Sequence, residues 1–382
     1  MMRMYRILAA LLLLLGTACS TPDNSEPPAE LVEIENPKAM HKLWSVDTGD
    51  GVARNFFDMQ PLLLGSKIYS IDTLGVILQI DSKKGHVDWR FESGLPAING
   101  LGGYASGLVA TSRNGEVVMY DFTGSSLSER WKQQLSSEIR VKAIVDGGQV
   151  FVRSVDGKLT ALDASNGSVQ WTVSRRVPAL SLTGNSYPIV SSDLVIAGFD
   201  NGKMAAFERD NGTSVWETTV GSPSGRSEIE RLVDLDGPFI LRDGILYVSS
   251  FQGNLVAVTV SNGQILWSRQ FSTFLAMDAD NEALYLSDDR SHVWAIDRRT
   301  GSAFWKQEAL NARKITAPRL VGNALVVADL EGYIHRLDKR DGALTGRIDT
   351  TGKRYLSQPL LLDDKIIALD STGQLTALRL DD

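Results

Sequence analysis

Between Val150 and Trp171 apolar and polar positions alternate in two short runs, Val150-Phe-Val-Arg-Ser-Val and Leu159-Thr-Ala-Leu-Asp163. Asp156-Gly157 separates them, and Asn166-Gly167 then Trp171 follow. Period-two alternation rich in β-branched residues marks half-buried strands, and Asp-Gly and Asn-Gly pairs accept the positive φ of tight hairpin turns. The pattern recurs along the chain. Its first glycines are Gly75, Gly115, Gly157, Gly202, Gly253, Gly332 and Gly373, with Ser291 in the sixth slot, at a mean spacing of about 43 residues. A second glycine follows ten residues later at Gly85, Gly167, Gly212, Gly263, Gly301 and Gly342, and nine later at Gly124. Trp89, Trp171, Trp216, Trp267 and Trp305 come four residues after the second glycine, Trp131 seven after, and Gly346 takes the Trp position of the seventh unit. No apolar stripe of helical period interrupts these units.

Each unit therefore predicts a four-stranded antiparallel sheet. One such sheet cannot bury both faces, and a ring of stacked sheets leaves no large face exposed. The eighth unit stops at Leu378-Arg-Leu-Asp-Asp382, before its Trp strand, whereas Lys42-Leu-Trp44-Ser-Val46 is a Trp strand with no unit before it. The expectation is an all-β, eight-bladed β-propeller over residues 41–382, closed by the N-terminal strand completing the last blade. The aligned Trp residues are expected to pack between adjacent blades. Asp81, Asp121, Asp163, Asp297 and Asp338, which end strands, are expected to cap backbone N–H groups at turns.

The first residues change the picture. Arg3 and Arg6 precede the apolar run Ile7 to Leu15, too short for the roughly 20 residues of a membrane span, and Gly16-Thr-Ala18 then offers small residues for cleavage. Residues 1–18 read as a secretory signal. Cys19, the chain's one cysteine, follows immediately. The segment resembles a bacterial lipoprotein signal, although Gly16 stands where such signals usually carry Leu. That resemblance implies acylation of Cys19, and Ser20 in place of Asp implies an outer-membrane anchor facing the periplasm. Residues 19–40, with Pro22, Pro27, Pro28 and Pro37, read as the lipidated Cys and a flexible tether. The formal net charge of −7, dispersed along the chain, argues against a nucleic-acid partner.

Candidate chemistry is sparse. The Leu-Asp, Gly and Trp spacing resembles the quinoprotein-type repeat of pyrroloquinoline quinone dehydrogenases. Those enzymes are longer and set a disulfide of adjacent cysteines against the quinone, which a single cysteine cannot form. Gly100-Leu-Gly102-Gly-Tyr-Ala105 fits a dinucleotide fingerprint by its letters, but a strand-like run follows where a helix is required. Asp278-Ala-Asp280-Asn-Glu282 begins like a calcium loop, yet Ala283 replaces the required Gly. His41, His86, His292 and His335 fall in different units. No cofactor, metal or catalytic residue is expected.

Insertions beyond the period are the informative places. The longest Trp-to-Trp step, from Trp216 to Trp267, holds Gly221 through Pro238, and the step from Trp171 to Trp216 holds Arg175 through Asn185. Both join the outer strand of one blade to the inner strand of the next, so they are expected side by side on one face. Leu180 and Leu182 would be apolar anchors and Asp234 and Asp236 a charged rim, unless the loops merely pack on themselves. Signal, lipid Cys, tether, eight units and the strings Pro178-Ala-Leu180-Ser-Leu182-Thr183-Gly and Ser227-Glu-Ile-Glu-Arg231-Leu-Val-Asp234-Leu-Asp236 resemble the BamB family of barrel-assembly lipoproteins. The resemblance implies a non-enzymatic scaffold that binds the periplasmic domains of the insertase BamA through Leu180, Leu182, Asp234 and Asp236, and assists unfolded outer-membrane β-barrel precursors. Thr183 departs from it, standing where the family usually has Arg, so a cationic contact is absent or moved to Arg175 or Arg176. An envelope adaptor unrelated to barrel assembly and a quinone-dependent dehydrogenase are the rival readings.

Overall fold

A computed structural model describes residues 26–51, 59–178, 186–221, 235 and 237–381. Its strands form eight four-stranded antiparallel sheets, the blades of a closed propeller. In blade 3 the strands run from hub to rim as Ile144–Asp146, Gln149–Ser154, Lys158–Asp163 and Val169–Ser174. The central two strands are almost wholly buried because both their faces meet neighbouring blades. Blade 8 is completed by Met40–Asp47, which pairs with Gln374–Leu380. First and last strands thus close the ring as the sequence predicts.

Eight apolar clusters fill the eight seams, the last joining Ile367, Leu375 and Ala377 of blade 8 to Ile68, Leu78 and Ile80 of blade 1. The register of every outer strand shifts just before the Trp position. In blade 4 this leaves Val215 as the extra residue, and such a bulge re-aims the next side chain. The redirected indole crosses the seam. Trp44, Trp131, Trp171, Trp216, Trp267 and Trp305 each donate Nε1–H to a carbonyl of the following blade at 2.7–3.2 Å. Each also lies on that blade's second glycine: a Cβ at Gly212 would sit 2.8 Å from Trp171. The Trp and glycine positions are therefore one device.

Two seams depart from it. In blade 2 the shortened hairpin leaves nothing within 4 Å of a Cβ at Gly124, so Trp89 has no glycine beneath it. Aromatic pairs fill that seam instead, Tyr69 on Phe122 and Phe91 on Tyr120, each at 5.4 Å. Blade 7 carries Gly346, whose Cβ would meet the carbonyl oxygen of Lys38 at 2.7 Å. The chain entering the ring passes where the other blades hold indole.

Asp81, Asp163, Asp297 and Asp338 accept backbone N–H bonds at their turns, as expected. Asp121 does not follow them. It lies within the longer ladder of blade 2, opposite Ser128, and binds Arg130 and the Tyr104 hydroxyl. Residues 26–39, rich in proline and expected to form a tether, follow blade 7: Ala29 N–H reaches Asn311 O at 2.9 Å and Lys38 N–H reaches Thr345 O at 2.7 Å.

Candidate partner-docking face

Within a blade, the turn between second and third strands lies at the same end as the link to the next blade. Backbone bonds tie the two together: Arg175 N–H donates to Gly157 O and Val220 N–H to Gly202 O, both at 2.9 Å. All links therefore emerge on one turn-and-link face. Leu180, Leu182, Thr183, Asp234 and Asp236 lie outside the described residues, as does Cys19. The roots of their two links are described, and these converge.

The meeting point is Gly198, the last residue of Leu194–Gly198 in blade 4. A Cβ there would sit 2.6 Å from Phe239 Cζ, 2.9 Å from Leu235 Cβ and 3.2 Å from Ser186 Oγ. Leu235 and Phe239 belong to the link from blade 4 to blade 5, Ser186 to the link from blade 3 to blade 4, and all three are buried. The corresponding positions in the flanking blades are Arg153 and Ser249. Only the absence of a side chain at 198 lets both links close over one spot. The sequence reading passed over Gly198; its signal was a glycine in a slot otherwise held by larger residues.

Charge is organised beneath the same links. Arg153 and Asp200, both buried, form an ion pair between blades 3 and 4. At the foot of the first link the Arg175 guanidinium lies 5.0 Å from the Phe207 ring centroid, and its Nε bonds Glu217 at 3.0 Å. Lys203 reaches the other Glu217 oxygen at 2.7 Å, and together Lys203 and Arg175 hold that carboxyl below the usual range. Arg175 is thus committed to its own blade. Arg176, next to it, is exposed.

The rejected motifs are engaged structurally. Gly102–Tyr104 and Gly107–Thr111 are strands, so the fingerprint at Gly100 has no helix to present to a phosphate. Asp280 accepts N–H bonds from Glu282 and Ala283 and bonds Tyr285 and Lys339. Burial pushes it up, yet these donors hold it at about 2. Asp278 pairs with Arg319 at 3.0 Å. Among the described residues no group of three or more His, Cys, Asp or Glu is arranged to hold a metal ion. His41, His292 and His335 each bond an aspartate of their own blade, in blades 8, 6 and 7.

The family profile described as "Outer membrane protein assembly factor BamB" matches residues 74–307. The chain is 31% identical over 321 residues to the outer membrane protein assembly factor BamB of Bordetella pertussis, covering 84% of this chain and 82% of that one. Among solved structures, BamB from Moraxella catarrhalis superposes with a TM-score of 0.81 at 23% identity, covering 89% of this chain and all of that one. Quinohemoprotein alcohol dehydrogenase from Comamonas testosteroni gives 0.72 at 12% identity over 90% of this chain and 76% of that one, a likeness of fold alone.

Proposed function

Because the chain belongs to the family of the outer membrane protein assembly factor BamB, we propose that it is a non-enzymatic scaffold lipoprotein of the machinery that assembles β-barrels in the outer membrane. Acylated Cys19 anchors it on the periplasmic side. The ring docks on the periplasmic domains of the insertase BamA and assists delivery of barrel precursors. The observation that carries this reading is the convergence of the links after blades 3 and 4 over Gly198. Paired insertions on a rigid base supply what a protein interface needs, apolar anchors inside a polar rim. In that arrangement Leu180 and Leu182 enter the partner and Asp234 and Asp236 meet its cationic groups. Thr183 supplies no charge, and exposed Arg176 takes over the positive contact, since Arg175 is held by Glu217.

Affinity capture of the insertase from mild-detergent membranes tests the reading. Leu180→Ala with Leu182→Ala should reduce capture by about tenfold or more, and Asp234→Ala with Asp236→Ala should act likewise and more weakly at high salt. Both variants should keep the native circular dichroism and melting temperature. Unchanged capture by both would move the interface elsewhere. No capture by the unaltered chain would leave the adaptor role outside barrel assembly.

A further inference from the structure

A proline-rich segment joined to a lipid anchor needs no structure to do its work, yet residues 26–38 are held at four places along blade 7. Asn311 accepts Ala29 N–H at 2.9 Å, and its Nδ2 donates to Glu26 Oε1 at 2.8 Å. Arg313, 2% exposed, donates Nη1–H to the carbonyl of Ala29 at 2.8 Å, Nε–H to Asp329 Oδ2 at 2.8 Å, and a further bond to Glu331. Arg347 donates Nη2–H to the carbonyl of Val32 at 2.9 Å and Nε–H to His335 Nδ1 at 3.4 Å. His335 Nε2–H in turn reaches Asp329 Oδ2 at 2.9 Å. Two carbonyls of the segment thus end on one buried carboxylate. Finally, Lys38 N–H bonds Thr345 O, and Gly346 leaves room for the carbonyl of Lys38 where the seven other blades carry Trp.

A buried guanidinium requires an acceptor for each N–H, and the segment's main chain supplies one to buried Arg313 and another to half-buried Arg347. We propose that residues 26–38 are a strap that fastens the anchor end of the chain to blade 7 and holds the ring at a short, fixed standoff from the membrane. The standoff rests on the reading of Cys19 as the lipid-bearing residue; the fastening does not. Seven peptide steps separate Cys19 from Glu26, a reach of at most about 25 Å. A free segment up to His41 would reach about 75 Å. Because Asn311 and Arg313 lie in the link between blades 6 and 7, the chain leaves toward the lipid from the turn-and-link face, beside those blades.

Gly346→Trp tests the strap by restoring the residue that the other blades use. Gly346 lies in the strand Leu344–Asp349 without positive φ, and the carbonyl of Lys38 is what an added side chain meets first, so the substitution adds no left-handed strain and displaces Lys38. Hydrogen exchange on the mature, full-length lipoprotein in phosphatidylethanolamine and phosphatidylglycerol vesicles should find the Ala29 and Lys38 amides protected. Protection should fall by at least about tenfold in Gly346→Trp and in Arg347→Ala, with Phe151 and Val195 in blades 3 and 4 unchanged. Energy transfer from a dye at Lys314→Cys to acceptor lipid should be strong in the native background and weaker in both variants. Ala29 and Lys38 exchanging without protection in the native chain would overturn the strap. Lost protection with unchanged energy transfer would overturn the standoff. Failure of the native chain to associate with vesicles would refute the anchor, and exchange would still decide the strap.

Discussion

Ser291 is the residue at which the repeat breaks its own rule. It occupies the glycine slot of the sixth turn with φ 71°, a left-handed conformation that costs an L-residue about 1 kcal/mol. Ser291→Gly relieves that cost at the expense of unfolded-chain entropy, so equilibrium denaturation should find it neutral to about 1 kcal/mol more stable. Gly157→Ala should do the reverse. Its φ is +78° and an added Cβ would overlap the carbonyl oxygen of Arg175, so a loss of about 2 kcal/mol or more is expected. His335 carries a pH signature. Burial holds it below its ordinary value of 6.5, and it stays neutral, donating to Asp329 and accepting from Arg347. The unfolded chain takes up a proton there that the native state refuses, so the stability contributed above 6.5 drains away as pH falls below it. Burial pushes Asp329 up, but His335 and Arg313 hold it below 3.8, extending the loss into stronger acid. The denaturation midpoint should drop between about pH 7 and about pH 5, and His335→Gln should flatten that stretch of the profile while starting lower.

At the scale of the element, the bulged outer strand makes each seam. Trp171 combines apolar burial, an Nε1–H bond to Arg209 O at 2.7 Å and stacking on Gly212. Trp171→Ala should cost about 3–5 kcal/mol, and Trp171→Phe, which keeps a smaller aromatic ring and loses the bond, about 1–2. Trp89→Phe should cost less than Trp171→Phe, since Gly124 does not lie beneath it. The bulge also explains the exposed apolar rim, because Leu43, Val215, Leu266 and Phe304 are the extra residues that it turns outward. Such irregular edges resist pairing with stray strands. Blades, register and closure were legible in the sequence because glycine and Trp positions answer to one packing constraint repeated around the ring. The strap was not legible, since it is held through main-chain carbonyls that any side chains could carry. Gly346 was visible as an omission, but only the path of Lys38 gives it meaning. The proposed docking strings were recognisable by family likeness alone, and Gly198 beneath the roots of their links looked like one more strand glycine.

At the scale of the whole molecule, eight apolar seams hold the ring, and both proposals rest on places where the repeat is broken. The roots of the links after blades 3 and 4 meet over blade 4, and the N-terminal segment crosses blade 7. Both lie on a frame that changes little when a loop changes, which is how a ring hosts a docking face without redesigning its core. Closure also imposes an order in time. Met40–Asp47 is the first strand of the ring to be synthesised and Gln374–Leu380, its partner, the last. His41 waits for Asp381, 340 residues later, and the residues that grip the anchor end also come from the final third of the chain. A product truncated before the eighth unit has an N-terminal strand with no partner, and one truncated before the seventh also lacks the residues that grip the segment ahead of that strand. The topology therefore works as a proof of completeness, in which only a finished chain can take hold of its own beginning.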